Sequence, residues 1–207
     1  MKRKVLALIQ YGTSTFYTNT KLATLKQIIY LTTLFFAVNF SYGQNDGPIE
    51  ITPQVLQKIK ADIETKVPAF KQNLSKRELT IDQIEFSLDT FRIEQIVSTR
   101  MDIDYSTVGM RATINEKTAA YDKLMNKYYN KLLKALKPED KQTLVAAQKA
   151  WIIYRDAEAK LIGAMIKDEY SGGGTIQPMI ATGSYSDLVI KRTIEIFNYF
   201  DGIIKDK

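Results

Sequence analysis

The sequence contains no cysteine and no histidine among its 207 residues. These absences remove the thiol nucleophile, the most common general base and the usual protein ligands of transition metals, and they exclude disulfide bonds. We therefore predict that the protein is not an enzyme, and that it has no catalytic residues, no cofactor-binding residues and no metal site.

Two groups of carboxylates remain as candidates for chemistry. Asp102 and Asp104 resemble the start of an oxygen-ligand cation site, but the later acidic residue of a calcium loop is missing. Asp156 and Glu158 lie in one predicted helix, where two carboxylates seldom flank a sugar as a glycosidase pair must. We interpret the first group as a solvated loop and the second as structural.

Long hydrophobic runs are also lacking. Residues 28–40 form an apolar run of about 13 residues, whereas a membrane-spanning helix needs about 20. Lysines precede this run and the small residues Ser41 and Gly43 follow it, which is the order of a secretory signal peptide. We predict that residues 1–43 are a leader cleaved after Gly43, and that the mature protein is periplasmic or secreted with no membrane attachment.

Acidic residues are absent from this leader. The whole chain has 29 basic and 23 acidic residues, a formal net charge of +6. Five of the basic residues and none of the acidic ones precede residue 44, which leaves 24 against 23 and a net charge of +1. A nucleic-acid-binding domain usually carries a strongly basic surface. We therefore expect no nucleic-acid partner.

Apolar residues recur at helical spacing along the mature chain, without a period-two strand pattern or an internal repeat. Thr52 followed by Pro53 starts a first helix, which we expect to end or kink near Pro68. Thr80 and Gln83 have the spacing of a capping box and start a second helix. These two helices could form a hairpin that packs on the remaining helices, or a small separate module.

Three further helices are expected over residues 109–136, 143–167 and 187–204. The first two of these are joined by a tight connection and should pack as an antiparallel hairpin. The predicted fold class is all-α: an antiparallel helical bundle with a long Gly-rich loop, residues 170–186, before the last helix.

The single tryptophan lies within the 143–167 helix, where Gln148, Trp151, Arg155 and Glu158 share one stripe. Arg155 is either a buried structural clamp or a charge that faces a ligand. We favour the clamp, with its guanidinium bound to a carboxylate such as Asp122 or Glu158. The predicted structural core residues are Gln148, Trp151, Arg155, Asp156, Glu158, Asp122 and Tyr128.

The glycine-rich segment is the candidate for partner binding. It consists of Ser171, Gly172, Gly173, Gly174 and Thr175. It lacks the lysine and the preceding strand of a phosphate-binding loop, and it is either a partner-binding loop or a connector between helices. We expect it to be the better contact surface, since the helices' outward residues are mixed lysines and glutamates that suit solvation.

The sequence of residues 147–159, AQKAWIIYRDAEA, resembles the core motif of the lysozyme-inhibitor LprI-like family, which consists of small secreted bacterial proteins. Residues 121–129 are similar to its first core helix, and residues 172–175 and 191–193 to its glycine loop and closing helix. Family members usually carry cysteines near Ala112 and Ala159, so this chain resembles a cysteine-free variant. The resemblance implies a binding protein that occludes the cleft of a lysozyme-type muramidase.

The resemblance covers roughly residues 102–200, and it suggests a division of the chain. We predict a leader at residues 1–43, an N-terminal helical hairpin extension at 44–101, and an LprI-like helical domain at 102–207. An alternative function stays open: a periplasmic helical interaction or structural module with no inhibitory role.

Overall fold

The computed structural model describes residues 47–205. The predicted leader and its cleavage position after Gly43 lie outside the described residues. Within the described part there are six α-helices and no strand, so the all-α prediction is confirmed. The helices are α1 (Pro53–Leu74), α2 (Ile81–Ile103), α3 (Thr107–Ala135), α4 (Pro138–Met165), α5 (Asp168–Ser171) and α6 (Gln177–Lys205).

The start of α1 follows the prediction, but its end does not. Thr52 caps the helix by accepting a hydrogen bond from the backbone N–H of Val55 at 3.3 Å. The helix continues through Pro68 to Leu74, because Pro68 lies on the exposed side while Val67 and Leu74 are buried on the other. Burial of the apolar face thus offsets the one backbone hydrogen bond that proline removes.

The second helix begins at the predicted capping box. The Thr80 hydroxyl accepts from the backbone N–H of Gln83 at 3.1 Å, and the Gln83 side chain accepts from the Thr80 N–H at 3.0 Å. Helix α2 packs back on α1, where the rings of Phe70 and Phe91 stack with centroids 4.2 Å apart. The first two helices therefore form a hairpin.

The core lies where α3 meets α6, and Tyr128 of α3 is completely buried in it. The ring of Tyr128 packs edge-on against Phe86 of α2 and Phe197 of α6, with centroids 5.3 and 4.9 Å away. The close neighbour of α3 is thus α6, and α4 packs on α6 as well. Helix α4 also lies antiparallel against α3, as predicted: Gln148 donates to the Met125 sulfur at 3.7 Å, and Leu133 and Lys141 line one cleft between the two helices.

The loop before the last helix is shorter than predicted. Helix α6 begins at Gln177 instead of residue 187, and the irregular segment is limited to residues 172–176. Thr182 and Ser184 lie within the helix although their side chains are polar, and each hydroxyl donates to the carbonyl four residues earlier, at 2.8 and 3.1 Å. The polar and glycine-containing sequence of residues 177–186 had indicated a loop, whereas these residues are helical.

Over residues 47–205, none of the helices combines the length and the apolar character needed to cross a membrane.

Candidate functional site

The Trp151 stripe forms a polar layer on the inner face of α4, beside the core. Trp151 is half-buried and packs against the core cluster. Two guanidinium groups lie near its ring: the Cζ atom of Arg155 is 5.4 Å from the ring centroid, and that of Arg192 is 5.9 Å from it. Such distances are typical of cation–π contacts. Trp151 is therefore a packing residue with two cationic neighbours.

The buried clamp predicted in this layer is Arg192 and not Arg155. The Arg192 side chain is 10% exposed, and its Nε donates to the Gln148 side-chain oxygen at 3.1 Å. Its other edge donates to Glu195 at 3.2 Å. Arg192 lies between Val189 and Ile196 on the apolar stripe of α6, and this position was the sequence signal that could have identified it.

Arg155 has a different partner from the two that we predicted. Its Nε and a terminal nitrogen donate to the carboxylate of Asp156, the next residue, at 2.9 and 2.7 Å. Burial lowers the pKa of Arg155, but the bond to Asp156 and the nearby acidic groups outweigh burial and raise it overall. The pair is partly exposed, because successive residues of a helix point in different directions and cannot both face the core.

The other predicted core residues have separate environments. Asp122 is half-buried and accepts a hydrogen bond from the Asn126 amide at 3.2 Å. Tyr128 donates to the backbone carbonyl of Asp82 at 3.3 Å. Glu158 lines a shallow cleft of about 270 Å³ between the end of α4 and the start of α6. The structure thus brings Gln148, Trp151 and Arg155 together, and Asp122 acts on Arg155 through its charge without a hydrogen bond between them.

The glycine-rich segment is a tight turn that closes α5. Gly172, Gly173 and Gly174 have φ values of 75°, 77° and 104°, a region that favours glycine. The Ser171 hydroxyl accepts from the Gly173 N–H at 3.1 Å and lies within 3.0 Å of the Ile166 carbonyl oxygen. Ser171 is therefore occupied in holding the turn, and the exposed residues of the segment are Gly172, Gly174 and Thr175.

Five large apolar side chains lie near the end of α4 and the start of α6 or next to the turn in the chain, and they are about half exposed. Leu161, Met165 and Ile180 line the shallow cleft, and Tyr170 and Ile176 flank the glycines in the chain. We call this set the loop-end patch: Leu161, Met165, Tyr170, Ile176 and Ile180. Exposed apolar side chains that cluster around one cleft commonly mark a protein-binding surface.

The outward face of α4 is also apolar, contrary to our expectation of mixed lysines and glutamates. Ala146, Ala150, Ile153 and Ala157 follow one another on this face and are all exposed, with Ile153 71% exposed. The face leads to Leu161 and so continues into the loop-end patch. Sequence reasoning missed it because the helix has only a weak contrast between its two faces.

The described residues show no group of three or more carboxylates arranged to hold a metal ion.

Comparison with known proteins identifies the relatives of the second half of the chain. Residues 99–196 match the family model of the lysozyme inhibitor LprI, which confirms the resemblance seen in the sequence. An uncharacterized protein of Rhizobium meliloti (strain 1021) is 29% identical over 104 residues, which cover 44% of this chain and 71% of that protein. No solved structure matches the chain. The family match begins near the end of α2, so α1 and most of α2 lie outside it.

Proposed function

We propose that this protein, whose residues 99–196 match the lysozyme inhibitor LprI family model, is a secreted or periplasmic inhibitor that occludes the cleft of a lysozyme-type muramidase. The observation that carries the proposal is the family match, which spans the Trp151 layer, the glycine turn and the loop-end patch. The chemistry of the patch supports a protein partner, because apolar and backbone groups predominate there.

The glycine turn suits a cleft lined by catalytic carboxylates. A side chain with a negative charge would meet like charges there; the residues from Gly172 to Thr175 carry no charge, and the one carboxylate beside them is that of Asp168, next to Gly173. Backbone N–H groups can approach a carboxylate closely where no Cβ intervenes. In the described part of the chain, the N–H groups of Gly174 and Thr175 have no hydrogen-bond acceptor.

The turn should also lose little conformational entropy when it binds the muramidase. The Ser171 hydroxyl and the Gln177 side chain, whose amide donates to the Ser171 carbonyl at 3.5 Å, hold both ends of the turn. A segment that is already held loses less conformational entropy on binding than a free loop does. The loop-end patch would then supply the apolar part of the contact, next to the turn.

The test is a muramidase assay with the purified protein against several lysozymes, with two changes at the proposed contact. Replacement of residues 171–175 with Glu-Lys-Glu-Lys-Glu should abolish inhibition. Met165→Glu should weaken inhibition about tenfold or more, because it places a charge in an apolar contact. Circular dichroism confirms that each variant keeps its helical content.

Ile81→Glu is the matched control, since Ile81 is also an exposed apolar residue and is 86% exposed. Gln83 binds Asp201, so Ile81 lies near the far end of α6, about 30 Å from Ile180 at 1.5 Å per residue. This variant should inhibit as the unchanged protein does. Inhibition that survives both changes at the turn and patch would exclude this contact, and no inhibition of any lysozyme would favour the non-inhibitory interaction module.

A further inference from the structure

A cavity of about 290 Å³ lies between α1, α2 and α3, away from the turn and the loop-end patch. Its apolar wall includes Leu56 of α1 and Ile93, Ile96 and Val97 of α2. The opposite wall is α3, where Ala120 leaves room because its side chain is small. The cavity therefore joins the N-terminal hairpin to the region that matches the family model.

Two buried polar side chains line this cavity without complete hydrogen bonding. The Arg100 side chain is 5% exposed and donates from one terminal nitrogen to Glu116. Thr113 is 1% exposed. Within residues 47–205, neither the Arg100 Nε nor the Thr113 hydroxyl has a hydrogen-bond partner. A buried donor without an acceptor is destabilising, so both groups favour a ligand that brings acceptor oxygens.

The charge of the lining indicates the sign of such a ligand. Four cationic residues line the cavity and only one carboxylate does; these residues are Lys60, Arg100, Lys117, Lys123 and Glu116. Lys117 also bonds Glu94 at 2.9 Å, which still leaves an excess of positive charge. An anionic head group would gain from this field, and its carboxylate could accept from both the guanidinium and the hydroxyl.

We infer that this cavity binds a small amphiphilic carboxylate. Its apolar tail lies against Leu56, Ile93 and Ile96, and its carboxylate accepts hydrogen bonds from the Arg100 Nε and the Thr113 hydroxyl. At about 30 Å³ for each water-sized group, the cavity holds about ten non-hydrogen atoms. Octanoate has this size and both required parts, and it serves as the probe. A site of this kind is mostly apolar with a few polar groups that orient the ligand.

The first experiment compares four probes by isothermal titration calorimetry with the full chain. Octanoate should bind saturably with one site per protein, below the concentration at which it forms micelles. 1-Octanol has the same tail without the charge, and its affinity should be lower by a factor of about ten or more. Octylammonium and acetate should show no binding, since one has the opposite charge and the other lacks the tail.

The second experiment uses variants of the lining. Arg100→Gln should weaken octanoate binding about tenfold or more, and Thr113→Val about fivefold. Ala120→Leu should abolish binding by filling the cavity while the thermal midpoint is kept or raised. Arg111→Gln, an exposed arginine of α3 outside the cavity, is the matched control and should bind as the unchanged protein does.

Ala120→Leu keeps the inference testable if the loss of the buried Arg100 prevents folding. Binding of octanoate that persists unchanged in a folded Ala120→Leu variant would overturn the assignment. So would equal affinity for octanoate and 1-octanol, or no octanoate binding by the unchanged protein. Lysozyme inhibition does not enter these measurements, so the outcome is independent of the proposed function.

Discussion

Trp151 and the two arginines beside it show how residues of the same type differ once they are placed in the fold. Arg192 is largely buried and bonds Gln148 and Glu195, so its loss would leave the half-buried Gln148 oxygen without this donor. Arg155 bonds only the adjacent Asp156, and this carboxylate is 56% exposed. An ion pair of that kind contributes little to stability.

We expect Trp151→Ala to lower the free energy of unfolding by about 2–3 kcal/mol, below the range for a fully buried tryptophan because Trp151 is half-buried. Arg155→Ala should cost less than about 1 kcal/mol. Urea unfolding of both variants measures the two values, with Gln142→Ala on the exposed side of α4 as the control. Equal losses for the two variants would contradict a packing role for Trp151 and a largely solvated ion pair for Arg155.

Helices α2 and α3 are joined by a row of ion pairs along their length. Asp82, Glu85 and Asp89 recur on one side of α2 and face Lys127 and Lys131 of α3. The Lys131 Nζ lies 2.6 Å from Glu85 and also 5.2 Å from the centroid of the buried Tyr128 ring. The row therefore places its lysines over the edge of the core and sets how α2 lies on α3.

This row makes stability depend on acid pH through Glu85. The hydrogen bond from Lys131 lowers the pKa of Glu85 below its ordinary value of 4.5, against a smaller opposing effect of burial, and Lys127 adds to the lowering. The folded carboxyl thus binds its proton more weakly than the unfolded one. Its contribution to stability is present above pH 4.5 and is lost as the pH falls through the lowered pKa.

Glu85→Gln should therefore reduce stability at pH 7. As the pH is lowered below 4.5, the variant should lose less additional stability than the unchanged protein does. Urea unfolding across this pH range measures the slope for each protein. Glu78→Gln, at an exposed carboxyl in the connection between α1 and α2, is the control and should keep the slope of the unchanged protein. An unchanged slope in Glu85→Gln would show that other carboxyls cause the acid dependence.

At the scale of the whole molecule, the N-terminal hairpin of α1 and α2 contributes side chains to the core of the region that matches the family model. Phe86 of α2 stacks on Phe197 of α6, with ring centroids 3.9 Å apart, and Ile93 packs against the same core cluster. The boundary proposed near residue 101 therefore separates parts of the sequence that share one core. This also explains how the hairpin can contribute one wall of the cavity.

A fragment of residues 102–207 should consequently fail to unfold cooperatively, because it lacks the α2 side chains that cover Tyr128 and Phe197. A fragment of residues 48–207 retains these contacts and should show one cooperative transition. Thermal unfolding followed by circular dichroism compares the two. A sharp transition of the shorter fragment would show that the LprI-like region is an independent domain.

Local sequence patterns determined most of the helices of this protein. The caps at Thr52 and Thr80 specify where two helices start, since a side-chain oxygen next to the first free N–H groups acts within one turn. Helical spacing of apolar residues also identified Tyr128 as part of the core. The sequence motif around Trp151 was enough to indicate the family, because a motif can be compared without knowing which helices are neighbours.

Tertiary structure decided the pairing of these helices and, with it, the sites. Which arginine is buried depends on α6 lying against α3 and α4, and neither contact is local in sequence. The start of α6 at Gln177 likewise depends on packing that outweighs the polar sequence of its first turns. The cavity at Arg100 and Thr113 exists only where three helices meet, so helical periodicity, which describes one helix at a time, could not reveal it.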